Sequence, residues 1–416
     1  MEEAHIKSKI RSLTNDFGSV ALIAVGVLWE IIFGPGYLGW SLILLGIALD
    51  NWTLKHRWRW TAARWPLLII ILFAALSLWV TTNTAATILQ FDRLVASLIL
   101  YSAVCRVASK RSQIIWLTIG FVALGTCLAL AAPFIVGWQE SKIGLIPDAI
   151  YDWFPLLLSD TVHPNVMAAI MLLVFPLPLA YVLSFWSSQR AYLNPLWWSA
   201  LVVTGCIGLV LLLTRSRGGY IAMMAGLLTA LWLLRYRLQA VIVAVMSIIG
   251  GWFIADKMQS ATVVVDALAD TSSLEFRLMV WKTAVSMIRD FPFTGVGMGT
   301  FNEVAVRLYP FPVVPNPGAH NLYLQVAVDL GLLGLIAFLA IIGLTIAQAW
   351  ASFKVLQQTD DRIMQVLIVG LLAGFVSLLV HGLLDITVWG TRIAFMSWAL
   401  MGLITAVYQF TAVNHN

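Results

Sequence analysis

Twelve mostly apolar stretches recur along this chain of 416 residues, and they fix its solvent before any motif is read. They fall at roughly 17–34, 37–50, 65–82, 86–106, 113–136, 164–186, 196–214, 218–234, 238–256, 322–352, 363–381 and 391–412. A helix of about 20 apolar residues crosses the hydrocarbon of a bilayer. The second stretch is short enough to tilt or sit shallow, and the first turns of the long tenth extend outside the bilayer. The segments are apolar on all sides, as in Leu68–Ala75, whereas barrel strands alternate apolar with polar. With 61% hydrophobic and 11% charged residues, an ordinary soluble domain is excluded. The expectation is an all-α polytopic membrane protein with about 12 transmembrane helices. Residues 1–416 form a single integral membrane domain, and a long extracytoplasmic loop at 257–319 carries short helices.

Short loops rich in Lys and Arg stay cytoplasmic. With the N-terminus inside, the cytoplasmic segments hold Lys7, Lys9 and Arg11, then Lys55, Arg57, Arg59 and Arg64, then Arg106, Lys110 and Arg111. Arg190, Arg235, Arg237, Lys354 and Arg362 complete that set, which is most of the 25 basic residues. The alternation holds at each short loop and predicts both termini cytoplasmic. The net charge of +5 is then topogenic and needs no nucleic-acid partner. Residues 1–15 lack the apolar core of a removed signal peptide. Cys105, Cys127 and Cys206 all fall in spans and read as packing residues.

A chain with so little polar material places much of it in one run, from Lys257 to Ala319. Ser272–Ile288 reads as an amphipathic helix, with Ser272 or Ser273 as cap and Glu275 suiting the dipole. Phe291-Pro292-Phe293 stops it, and Gly295-Val-Gly297-Met-Gly299 makes a tight turn. That turn follows no strand, so it is no dinucleotide fingerprint.

The topology brings Arg217, Arg277, His320, His381, Asp385 and Arg392 to the same outer surface. Arginines at a dry boundary are costly unless an anion pairs with them. A guanidinium fork matches phosphate oxygens, so a phosphate-bearing lipid head group is the simplest ligand.

These residues resemble the O-antigen ligase and O-antigen polymerase superfamily of bacterial inner-membrane glycosyltransferases. Thr214-Arg215-Ser216-Arg217-Gly218-Gly219 looks like its Ser-Arg-Gly element, and Arg277 with Trp281 like its Arg-x-x-x-Trp loop helix. Pro292–Phe301 is similar to its glycine-rich turn. His320-Asn321-Leu-Tyr323-Leu-Gln325, followed by Gly331 and Gly334, is similar to its His-Asn-x-Tyr-Leu signature. His381-Gly-Leu-Leu-Asp385 resembles the element before the last span.

The resemblance implies a reaction at the outer face of the bacterial inner membrane. A glycan leaves an undecaprenyl-diphosphate carrier for a hydroxyl of lipid A–core or of another glycan chain, with inversion and without a metal or other cofactor. Membrane lipids surround the site. Arg217 and Arg277 would stabilise the departing diphosphate, and His320 would act as base toward the acceptor hydroxyl. Arg215, Asn321, Tyr323, His381, Asp385 and Arg392 stand as substrate-binding candidates.

Each has a plainer structural reading. His320 reads also as an interfacial histidine at a helix start, Arg215 and Arg217 as arginines snorkelling to head groups, and Arg277 as the solvated face of a helix. His381 and Asp385, one turn apart, read equally as a hydrogen-bonded pair, and Arg392 as a partner of Asp385. Asp92-Arg93 reads as an internal ion pair and His163-Pro164-Asn165 as a helix-start turn. The competing function is transport, since some members of the superfamily are described as bicarbonate transporters. A carrier is expected to show broken helices and mid-span charges, and Asp92 and Arg93 are the ones that break the one-face pattern.

Overall fold

A computed structural model describes residues 17–30, 33–34, 36–54, 61–138, 148–154, 161–186, 193–247, 274–313, 318–386 and 388–415. Each of the twelve apolar stretches falls on a helix. In chain order these are α1 (Phe17–Glu30), α2 (Tyr37–Leu54), α3 (Arg64–Val80), α4 (Thr84–Val107), α5 (Arg111–Ile135), α6 (Pro164–Val174), α7 (Pro176–Phe185), α8 (Pro195–Leu213) and α9 (Arg217–Leu233). There follow α10 (Arg237–Ser247), the loop helices α11 (Leu274–Asp290) and α12 (Phe301–Leu308), and then α13 (Leu322–Leu356), α14 (Arg362–His381) and α15 (Ala394–His415). Among the described residues, seven are long and apolar enough to cross a bilayer, counting α6 and α7 as one span. The protein is an all-α polytopic membrane protein. Lys7, Lys9, Arg11, Lys55, Arg57, Arg59, Lys142, Arg190, Lys257 and the cap at Ser272 or Ser273 lie outside the described residues.

Polar residues start the helices where the apolar pattern begins. Asn83, Asn194, Ser216, Asn321 and Asp361 each accept a backbone N–H from the first turn that follows. The sixth stretch breaks at Pro176, which has no N–H to continue the ladder.

The tenth stretch is bent at Gly331 (φ 74°, ψ −179°). A straight helix would bond the Leu332 N–H to the Val328 carbonyl. Instead Leu332 N donates to the Pro292 carbonyl (2.7 Å), and the Val328 carbonyl accepts from Val296 N (2.8 Å). The loop after α11 thus inserts into the bend and satisfies both freed groups. Close approach explains the glycines. Gly295 has φ +64°, and a Cβ there would sit 2.5 Å from the Val328 oxygen. Gly295→Ala is expected to lower the unfolding midpoint of the purified protein, at a cost of about 1–3 kcal/mol. Gly343→Ala, where a Cβ meets nothing within 4 Å, should leave the midpoint unchanged. Equal midpoints for both variants would remove the packing account.

α9 packs along α14 and α4 along α15, the two most extensive helix pairs. The α9–α14 seam is closed by small residues: a Cβ on Gly226 would stand 3.1 Å from the Ala373 carbonyl, while Gly219 and Gly374 abut α6 and Gly370 abuts α7 in the same way. Lipid tails offer no hydrophobic drive between helices, so such seams gain their energy from close backbone contact.

The link from α14 to α15 dips back into the bundle. Trp389 Nε1 donates to Asp329 Oδ2 (2.9 Å), and Arg93 Nη1 to the Gly390 carbonyl (3.2 Å). Asp329 is the eighth residue of α13, about 10 Å below its start. Irregular backbone at that depth is tolerated because it is enclosed by protein.

Two expectations are corrected here. Asp92 and Arg93 form no direct ion pair, although each charge reaches the other. Neighbours on a helix diverge, and Asp92 Oδ1 accepts from Trp40 Nε1 (2.5 Å) while Arg93 reaches Gly390. Asp92 and Arg93 are also not alone within the bundle, since Asp329 is fully buried in α13, and Glu30 and Asp50 are buried too. The remainder of the ninth stretch, 248–256, lies outside the described residues.

At the opposite end from His320, Arg106 pairs with Asp50 (3.0 Å) and Arg111 with Asp361 (2.5 Å). Arg362 donates to the Ser184 carbonyl. Among the described residues, Arg106, Arg111 and Arg362, read as cytoplasmic, therefore lie at the end of the bundle opposite His320.

Candidate active site

The seam between α9 and α14 sets the position of the first cation. Gly218 lies under the turn that ends α14: a Cβ there would stand 3.4 Å from Leu384 Cβ and 3.9 Å from His381 Cδ2. Arg217, the first residue of α9, is therefore held beside His381 and Leu384. Ser216 caps this helix by accepting from Gly219 N (3.1 Å). Arg215, one residue earlier, has a left-handed backbone (φ 49°) and is buried. Its guanidinium lies 4.4 Å over the Tyr151 ring, beside Trp138 and Phe154. Arg215 and Arg217 thus enter different surroundings.

The loop helix α11 brings the second cation. Its apolar face, Phe276, Val280, Ala284 and Met287, is buried on the bundle. That leaves Arg277 and Trp281, four residues apart, on a neighbouring face. Arg277 is half-buried. Burial pushes its guanidinium below the usual arginine range, Asp385 opposes this, and the charge of Arg217 adds to it. Arg217 and Asp385 are therefore both within electrostatic reach of Arg277. Arg277 Nε and Trp281 Nε1 are buried donors without a hydrogen-bond partner among the described residues.

Asp385 is held in place from two sides. Its Oδ2 accepts from Asn165 Nδ2 (2.8 Å) and its Oδ1 from Ile386 N (2.7 Å). The charges of Asp385 and Arg277 both reach His381, which is buried at the end of α14. His163 caps α6, its Nδ1 accepting from Asn165 N (3.1 Å), as the helix-start reading expects. That cap points Asn165 at Asp385.

His320 completes the cluster. It occupies the left-handed region (φ 45°), where a non-glycine residue is strained. Its ring meets Phe276 edge-on, with centroids 6.2 Å apart. Phe276 directly precedes Arg277, so one turn of α11 touches His320 and carries Arg277. The backbone around His320 is fixed independently of the imidazole. Ala319 N donates to Gln325 Oε1 (2.7 Å), Leu322 N to the Gly382 carbonyl (2.7 Å), and Asn321 Oδ1 accepts from Tyr323 N and Leu324 N (3.0 Å each).

Asn321 and Tyr323 also tie α13 to α14. Asn321 Nδ2 donates to the Leu383 carbonyl and the Tyr323 hydroxyl to that of Leu379, each at 3.0 Å. Arg392 is exposed, and its charge reaches Arg93. Beneath His320 runs a buried chain that the sequence reading missed: Gln325 Nε2 donates to Asp329 Oδ1 (2.9 Å), and Trp389 Nε1 to Asp329 Oδ2. A lone acid seven residues into an apolar run was the available signal for it.

The arrangement suits transfer away from an anionic leaving group: two guanidinium groups lie within electrostatic reach of each other, one with a buried N–H unfilled among the described residues, and an imidazole meets the helix turn that carries it. No curated protein matches the chain. The O-antigen ligase family model matches residues 200–339, from within α8 to within α13. Arg217, Arg277 and His320 all lie inside that stretch, and the match supports this chain's place in the O-antigen ligase/polymerase superfamily.

Proposed function

We propose that this chain transfers a glycan from an undecaprenyl-diphosphate carrier to a hydroxyl of lipid A–core or of another glycan chain. The reaction takes place at the outer face of the bacterial inner membrane, with both termini cytoplasmic. The observation that carries this reading is the mutual reach of Arg217 and Arg277, the latter on the helix turn that meets His320, with Arg277 Nε unfilled among the described residues. The acceptor oxygen attacks the anomeric carbon from the face opposite the diphosphate. The carbon–oxygen bond to the diphosphate breaks, and its electron pair leaves with the diphosphate oxygen. Configuration inverts at that carbon. The acceptor proton passes to His320. Negative charge growing on the leaving oxygens meets guanidinium groups already in place, so they stabilise the transition state more than the ground state. Asn321 and Tyr323, bonded to α14, position His320, while Asp385 orients Arg277 and His381.

The test uses purified protein, an undecaprenyl-diphosphate glycan and an acceptor, reading the released diphosphate carrier and the extended acceptor together. Transfer is expected to continue in excess chelator, because the arginines carry the role a metal would otherwise fill. Loss in chelator that magnesium restores would overturn the metal-free mechanism. A carrier would also show the bend at Gly331 and the buried Asp329. Uptake of a small anion by proteoliposomes, without glycan transfer, would favour that second reading.

A further inference from the structure

A cavity of about 300 Å³ opens at the end of the bundle opposite His320, where α7 and α9 finish and α13 hands over to α14. Its polar lining is Ser184, Arg235, Tyr236, Gln357, Arg362 and Gln365. No carboxylate contributes to it among the described residues. Asp361, the residue before Arg362, is engaged by Arg111 at 2.5 and 2.8 Å.

Three observations point to an anion. Ser184 is only 6% exposed, and its Oγ has no hydrogen-bond partner among the described residues. A buried hydroxyl without a partner is costly, and an oxygen-rich ligand would relieve it. Arg235 turns the corner between α9 and α10 in a left-handed conformation (φ 69°) that favours glycine or asparagine. Its guanidinium has no hydrogen-bond or ion-pair partner among the described residues. Arg362 is preset by the Ser184 carbonyl and by the Phe185 ring, 4.7 Å from its Cζ. The rim is rigid, since the Tyr236 hydroxyl donates to the Leu183 carbonyl (2.8 Å) and Gln365 Nε2 to those of Leu356 and Thr359 (2.8 and 2.7 Å). Leu233, Phe353, Val366 and Val369 form the apolar wall behind it.

We propose that this cavity is a phosphate-binding site, with Arg235 and Arg362 as the cationic clamp and Ser184 Oγ as a donor. The phosphate belongs either to a lipid head group, for which the apolar wall would take the adjoining chain, or to free phosphate. The site stands independently of the glycan reaction at the other end.

The test measures binding to the full-length purified protein by native mass spectrometry and by the unfolding midpoint. The probes are phosphatidylglycerol, inorganic phosphate and diacylglycerol. Phosphatidylglycerol is expected to bind and raise the midpoint, with affinity falling at least tenfold in Arg235→Gln and measurably in Ser184→Ala. Arg235→Gln removes no side-chain bond among the described residues, so it should fold as the parent does. A similar response to inorganic phosphate identifies the free anion as the ligand; a response to the lipid alone identifies the head group. Equal binding of diacylglycerol, or wild-type affinity for phosphatidylglycerol in Arg235→Gln, overturns the proposal.

Discussion

Replacing His320 by alanine is expected to lower glycan transfer about 10²–10⁴-fold while the protein still inserts and folds. A positioned base typically contributes that much. The bonds that build the turn belong to Ala319, Asn321 and Leu322 and do not use the imidazole. Alanine at φ 45° adds backbone strain, so His320→Asn is the sharper variant. Asparagine tolerates the left-handed region but has no basic nitrogen. Both variants should be monodisperse and melt near the parent, and both should be inactive. Wild-type transfer by purified His320→Asn would remove the base assignment, whatever the alanine variant does.

The second large effect is at Arg277. Arg277→Ala should reduce kcat about 10²–10³-fold, the range for removing one preorganised donor at a developing oxyanion. Arg277→Lys should recover little of this, because a point charge cannot fork across two phosphate oxygens. The effect belongs in kcat more than in KM, since diphosphate charge grows as the bond breaks. A rise in KM with kcat intact would place Arg277 in ground-state binding. The α11 face that docks on the bundle, Phe276, Val280, Ala284 and Met287, is untouched by either change, so a folding defect is not the expected outcome.

Helix positions were legible because the bilayer imposes length and composition on every span. Each of the twelve stretches therefore met a helix, and five of the caps fell at asparagine, serine or aspartate as local chemistry favours. The long loop was legible in part. Its helix ends at Asp290, two residues past the expected Ile288, and its expected start at Ser272 lies outside the described residues. Its glycine-rich turn, plain as a turn, gave no sign of entering a bend in α13, because that contact joins residues about forty apart in sequence. The gathering of Arg217 with Arg277 follows from which end of each helix carries the charge. The partners of Asp92, Arg93 and Asp385 did not follow, since Trp40, Gly390 and Asn165 become neighbours only through tertiary packing. Asp329 escaped notice because a single acid barely alters the hydropathy of a long apolar run, although it anchors Trp389 and with it the inward link.

The bend at Gly331 has mechanical consequences. Its two freed backbone groups are occupied by Pro292 and Val296, which belong to the same segment that carries Arg277. α13 cannot straighten without pulling that strap out, and the strap cannot lift without leaving an amide and a carbonyl bare in a dry interior. Straightening of the long helix and displacement of the segment after α11 are thus one coordinate. A force felt along α13, whether from bilayer thickness or from a neighbouring protein, would be transmitted to the segment that follows Arg277's helix.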